Sequence, residues 1–366
     1  MDDTAPERGV FWSYRMLDLQ DIGYDILHIF ELNDVRFHVR ILAQDLEGDD
    51  QLFSKFTRLR DGLQEWDIWP ECEDWVLDTL KDELRILAPK PPHGARKSIT
   101  LQEYFDPPTH AFKLVNRDSK LVPVQEIYDP QHHGITNPRT HIVDAMPEPQ
   151  PRRFHLFEED QGYILRSSLP SVPLIPASQL ERFDDGLKDF ELSNPVKKVR
   201  RVRASEALFF KAGFRDNGYI REIDMLSKIQ ASGKFLPPFR TSKLVGLVVW
   251  DDDKAPSLMG MLLEYIKGEN LYSHLRSGST TKEANEKWFS QIKTTVKQLH
   301  GAGLVWGDAK PDNIMINEAG DAIVVDFGGG YTPEYVPREL MDTVEGDLMA
   351  LKGMAAELGV EYETVS

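Results

Sequence analysis

Within a chain of 366 residues, the stretch "GLVWGDAKPDNIMINEAGDAIVVDFGGGY" (303–331) sets Asp308, Lys310, Asn313 and Asp326 around two short apolar runs. Two carboxylates, an ammonium and an amide oxygen at this spacing suit phosphoryl transfer. That chemistry needs a carboxylate to orient and deprotonate the attacking hydroxyl, and hard oxygen ligands for Mg²⁺ beside nucleotide phosphates. Asp308 and Asn313 share one tight loop. The runs "NIMI" and "AIVV" flank the turn-rich "NEAGDA", a pattern that predicts a hairpin delivering Asp326 at its far end.

The elements that must position these groups are legible on either side. Ahead of the loop, Trp288, Ile292, Val296 and Leu299 recur at helical spacing, Thr280 with Glu283 has the form of a capping box, and Gly301 and Gly303 end the run. Further upstream, "ALFFKAGF" (207–214) predicts a buried strand with Lys211 inside it. "YIREIDMLSKI" (219–229) puts Ile220, Ile223, Leu226 and Ile229 on one helical face, and "LVGLVVW" and "LMGMLLEYI" predict two more strands.

The first part of the chain has a different texture. "RFHVRIL" (36–42) alternates as a strand does, and "EDWVLDTLKDELRIL" (73–87) carries Trp75, Leu77, Leu80, Leu84 and Leu87 near helical spacing, an α+β pattern. Proline-rich breaks follow at "APKPPHGARK" and "MPEPQPRR", with strand-like "AFKLV" and "THIVDA" between them. His132, His133 and His141 could supply metal ligands, but no acidic or cysteine partner stands at a recognisable spacing, so a surface loop is expected. "KKVRRVR" (197–203) is either a strand with one solvated face or a localisation or phosphate-facing signal, and the solvated strand is expected.

Composition sets the outer limits. The length suggests two or three domains, and 41% hydrophobic content with seven Trp and eighteen Phe suffices to build their cores. A net charge of -17 argues against a general nucleic-acid binder, since phosphate contacts need a basic surface. The chain has no long apolar run and an acidic beginning, so no membrane partner and a cytoplasmic or nuclear location are expected. Cys72 is the single cysteine and cannot form an internal disulfide, so it is expected to be core filler.

The loop residues resemble the protein-kinase catalytic loop and metal-binding motif, His-Arg-Asp-x-Lys-x-x-Asn followed by Asp-Phe-Gly. Here they read Trp306-Gly307-Asp308-Ala309-Lys310-Pro311-Asp312-Asn313 and Asp326-Phe327-Gly328. The resemblance covers about residues 175–355. It implies a bilobal protein kinase-like fold of α+β class, with a small β-rich N-lobe (about 175–266) and a short helical C-lobe (about 267–366). Ahead of it stand an additional α+β region (1–150) and a linker (151–174). It implies ATP and Mg²⁺ as cofactors, Asp308 as catalytic base, Lys310 as a stabiliser of the transferred phosphate, and Asn313 and Asp326 as metal ligands. Lys211 resembles the lysine that holds the α- and β-phosphates, with Glu222 as its ion-pair partner. Leu263-Glu264-Tyr265-Ile266 resembles the hinge, so backbone groups of Glu264 and Ile266 are candidates for adenine hydrogen bonds. Asp347 in "EGDL" would hold the catalytic-loop backbone, or else serve as a helix cap. More narrowly, "VWGDAKPDNIMI", "VVDFGGGYTPEYV" and "TVEGDL" resemble a group of fungal kinase-like proteins.

Three departures qualify the resemblance. "ELSNPVKKVRRVR" occupies the place of the Gly-rich loop; Gly307 replaces the arginine that pairs with a phosphorylated activation loop in many kinases; and little chain follows Asp347, so a cut-down C-lobe is expected. Tyr331 and Thr332 are then poor candidates for activating phosphosites. The expected function is transfer of the γ-phosphate to a hydroxyl, foremost on protein Ser/Thr. Gly307 before Asp308 is similar to the His-Gly-Asp of aminoglycoside and choline kinases and keeps a small-molecule substrate open. The missing Gly-rich loop keeps a pseudokinase scaffold open.

Overall fold

The computed structural model describes residues 14–65, 67–90, 98–129, 140–143, 162–165, 167, 172–183, 196–213, 217–251, 256–278 and 280–362. His132, His133, "MPEPQPRR" and the first part of "ELSNPVKKVRRVR" lie outside the described residues, as does the side chain of His141. The chain divides into two units.

In the first unit, strands β1 (Tyr14–Ile22), β2 (Asp25–Leu32) and β3 (Val35–Ile41) form an antiparallel meander. Helices α1 (Asp50–Asp61), α2 (Trp69–Thr79), α3 (Lys81–Leu87) and α4 (Leu101–Phe105) follow, then β4 (Thr109–Arg117) and β5 (Lys120–Glu126). The sheet order is β1-β2-β3-β4-β5, and β4 runs parallel to β3. A parallel pair needs a long crossover, which is where the helices sit in sequence. Alternate residues of β2 and β3, among them Ile26, Phe30, Phe37 and Val39, face a core completed by Phe56, Leu59, Cys72, Val76, Leu80 and Leu84. The segment 73–87 is two helices rather than one. Leu80, buried at their junction, leaves helical geometry at ψ 3° and caps both.

The second unit begins with β6 (Thr140–Val143), β7 (Gly162–Leu165) and β8 (Leu174–Pro176), whereas β9 (Leu180–Arg182) belongs to the first unit. The boundary is therefore interleaved rather than a cut at residue 150 or 174. After it come β10 (Lys198–Arg201), β11 (Ala207–Ala212), α5 (Asn217–Ser232), β12 (Leu244–Val249) and β13 (Ser257–Glu264). β13 pairs antiparallel with β11 and β12, β10 pairs with β11, and β8 adds to β12 in parallel. In β10, Val199 is buried while Lys198 and Arg200, on the other face, are partly exposed, the pattern of a strand with one solvated face.

Below this sheet lie β14 (Gly268–Asn270), α6 (Leu271–Ser277), α7 (Lys282–Gly301), β15 (Ile314–Asn317), β16 (Ala322–Val324) and α8 (Val344–Leu358). Ile314 pairs with Val324, so the expected hairpin forms. The cap of α7 differs by one residue from expectation: Thr281, not Thr280, accepts from the amide of Ala284. In α5, Tyr219, Ile223, Leu226 and Ile229 face the core, and Ile220 is exposed instead. The actual stripe runs through Tyr219, whose ring packs as an apolar group although its hydroxyl makes it polar by type. Among the described residues, no helix is long and apolar enough to cross a membrane.

Candidate active site

The loop carrying Asp308 is suspended from a buried carboxylate. Asp347, in the first turn of α8, accepts from the amides of Trp306 at 2.8 Å and Gly307 at 2.9 Å, and lies 2.8 Å from His300 Nε2. The N-cap of that helix is Thr343, whose side chain takes the Gly346 amide, so Asp347 is committed to the loop. Trp306 is fully buried, and its indole donates to the carbonyls of Val325 and Asp326. The loop is thus tied both to α8 and to the strand end that presents Asp326.

Around Asp308 the side chains close into a ring. Its Oδ2 receives Lys310 Nζ at 2.6 Å and Asn313 Nδ2 at 2.9 Å, and the same amide also bonds the Asp308 carbonyl. Thr332 Oγ1 donates to Asp308 Oδ1 at 3.1 Å and accepts from Lys310 Nζ at 3.1 Å. Gly330 passes close by: a Cβ there would sit 3.3 Å from the Asp308 carboxyl carbon. Thr332 is the member of this ring that the sequence pattern did not assign. Its only signal in the sequence is a hydroxyl in "GGGYTPEY", which reads as a poor phosphosite candidate.

The second cluster joins three elements. Lys211 Nζ on β11 lies 2.5 Å from Glu222 Oε2 on α5 and 3.0 Å from Asp326 Oδ1. Burial alone would push the Lys211 ammonium down, but the carboxylates of Glu222 and then Asp326 outweigh it and hold the pKa above its usual value. Glu222 is almost wholly buried, and that burial holds its carboxyl above the usual range despite the pull of Lys211. Asp326 adopts φ 58°, in the left-handed region, with the fully buried Phe327 beside it as an anchor.

Asn313 spends its Nδ2 on Asp308, which leaves Oδ1 as its acceptor, and Asp326 uses Oδ1 for Lys211. Among the described residues, no three His, Cys, Asp or Glu side chains gather as a ready metal cage. Two protein oxygens, with phosphate and water completing the shell, match how Mg²⁺ is usually held. The donor set therefore fits the ion. Glu264 ends β13 and Ile266 lies two residues on; the Glu264 amide is taken by the Lys243 carbonyl at 3.0 Å, so its carbonyl is the group that could serve a base.

Gly307 sits at φ 90°, and a Cβ there would come within 2.6 Å of Arg221 Nη2 and also meet Asp342. The residue before Asp308 is thus glycine for a local reason, both conformational and steric.

Residues 197–348 match the protein kinase domain family. The chain carries a protein kinase-like domain. Its fold is α+β and bilobal, with β10–β13 and α5 in the sheet lobe and α6–α8 in the helical lobe. A stretch of 79 residues is 32% identical to CBL-interacting protein kinase 16 of Oryza sativa subsp. japonica, covering 22% of this chain and 17% of that protein. Over 75 residues the kinase-like domain is 31% identical to CBL-interacting serine/threonine-protein kinase 5 of Arabidopsis thaliana, covering 20% and 17%. Over 73 residues it is 34% identical to serine/threonine-protein kinase YPK3 of Saccharomyces cerevisiae, covering 20% and 14%. The chain spans under a fifth of the length of these relatives.

Proposed function

We propose that the chain transfers the γ-phosphoryl group of ATP to the hydroxyl of a protein serine or threonine. The observation that carries this is the ring around Asp308: a carboxylate oriented by Asn313 and Thr332, with the Lys310 ammonium at 2.6 Å. Asp308 orients the attacking hydroxyl and accepts its proton. Lys310, beside it, stabilises negative charge on the phosphoryl group in transit. Lys211, fixed by Glu222, grips the nucleotide phosphates, and backbone groups of Glu264 and Ile266 receive the adenine edge. Asn313 and Asp326 hold Mg²⁺, which when bound neutralises charge on the phosphate oxygens.

A protein substrate is favoured because two of the named relatives are serine/threonine-protein kinases. The small-molecule alternative draws on Gly307 and on the cut-down C-lobe that leaves little platform for a peptide. That glycine is accounted for by the space Arg221 and Asp342 occupy, so its likeness to His-Gly-Asp carries little weight. The narrower likeness to fungal kinase-like proteins, in "VWGDAKPDNIMI" and "VVDFGGGYTPEYV", adds no substrate.

The test is nucleotide binding by calorimetry with and without Mg²⁺, followed by ATP turnover with generic protein substrates. Mg²⁺ should strengthen ATP binding in the parent, and Asp326→Asn should remove most of that gain while leaving the fold intact. Equal affinity with and without Mg²⁺ would contradict the metal assignment, and no nucleotide binding at all would leave a scaffold.

A further inference from the structure

Glu222 has a neighbour on α5, Arg221, that takes a different set of partners. While Glu222 turns to Lys211, Arg221 sends its guanidinium to the catalytic loop and the Asp326 segment. Nη1 donates to the carbonyls of Trp306 at 3.1 Å and Phe327 at 2.5 Å; Nη2 donates to the carbonyl of Val305 at 2.9 Å and lies 3.5 Å from Asp342 Oδ1. One side chain therefore ties together the helix that carries Glu222, the loop that carries Asp308 and the turn that follows Asp326. Planar guanidinium suits this work, because its donors diverge in fixed directions and its charge strengthens each bond to a carbonyl.

The backbone is shaped around it. Gly307 and Gly329 take φ 90° and 75°, and a Cβ at either would run into both Arg221 and Asp342. At Gly329 the nearest Arg221 nitrogen would be 3.0 Å away. Two glycines, one from each segment, thus clear a slot that the Arg221–Asp342 pair fills.

We propose that Arg221 is a positioning residue that latches α5 onto the catalytic loop and the Asp326 turn, holding the Lys211–Glu222 pair in register with Asp308 without a phosphate on the chain. The latch would do internally what an added phosphate does where an ordered segment depends on one. Its link to turnover rests on the proposed phosphotransfer; its mechanical part does not.

The experiment uses the full chain with Arg221→Met and Arg221→Lys. Three quantities are read: amide hydrogen exchange across residues 304–308, 217–232 and 326–330, kcat, and, separately, ATP affinity. With Arg221→Met, exchange in all three segments should rise about tenfold or more and kcat should fall at least about tenfold, with a smaller loss of ATP affinity, about threefold, through the loosened Lys211–Glu222 pair. Arg221→Lys keeps the charge and should recover part of both. If the parent has no turnover, the proposed function fails but the exchange result still decides the latch. Unchanged exchange with kcat within twofold of the parent overturns it. Should Arg221→Met not fold, Arg221→Lys decides alone: faster exchange at 304–308 and 326–330 supports the latch, and parental exchange refutes it.

Discussion

Asp308 is flanked by three side chains that can be removed singly, and each removal should have its own signature. Thr332→Val keeps shape but deletes the hydroxyl that donates to Asp308 and accepts from Lys310. Turnover should fall about tenfold, since a positioned general base is worth about 10²–10⁴ and Thr332 only orients it. Thr332→Ser should restore most of the rate, and ATP affinity should be unchanged in both; steady-state kinetics with calorimetry checks this. Lys211→Met should do the reverse, weakening ATP binding most. Asp308, Lys310, Asn313 and Asp326 were legible in the sequence because they fall within one short stretch whose residue types are rare in combination. Thr332 and Arg221 were not, because their meaning lies in contacts with residues far away along the chain, and a lone threonine or helical arginine carries no spacing signal.

At the scale of elements, strong periodicity was readable and its edges were not. The strand in "RFHVRIL" and the helix through Trp288 and Leu299 form as expected, because each buries one regular face. The break at Leu80 and the shift from Ile220 to Tyr219 depend on what packs opposite, which no window of sequence contains. The face of β2 also hides a pH-sensitive group. His28 is fully buried beside Phe30, with Tyr14 Oη 3.5 Å from its Nε2 and Tyr14 in turn bonded to Glu73 on α2. Burial pulls its pKa down to about 3. In the unfolded chain it returns to about 6.5. Between these values the unfolded state binds a proton that the folded state refuses, so stability present above pH ~6.5 is lost as pH falls toward 3. The loss should be on the order of 1 kcal/mol per pH unit. Urea midpoints of the first unit measured from pH 7 to pH 4.5 should drop, and the drop should shrink in His28→Gln. An equal pH slope in that variant would remove His28 as the cause.

For the whole molecule, the two units have separate cores, yet the second draws strands from both sides of β9. A fragment starting at residue 197, where the family match begins, would lose β8 from beside β12 and β6 from beside the start of β13. Exposing an apolar strand edge invites association. Such a fragment should elute as aggregate in size-exclusion chromatography, whereas residues 139–366 should hold a larger soluble fraction; equal solubility would show these strands to be dispensable. What unites the second unit is the convergence of Lys211, Glu222, Asp308, Asn313 and Asp326 from four separate segments. The most direct measurement of what that convergence does is incorporation of γ-phosphate from ATP into serine and threonine of generic protein substrates, parent against Asp308→Asn. The asparagine keeps size and most hydrogen bonds but cannot accept the hydroxyl proton, so the parent should label and the variant should fall by about 10² or more with ATP affinity intact. Equal labelling by Asp308→Asn, or none by a parent that binds ATP, would contradict the account.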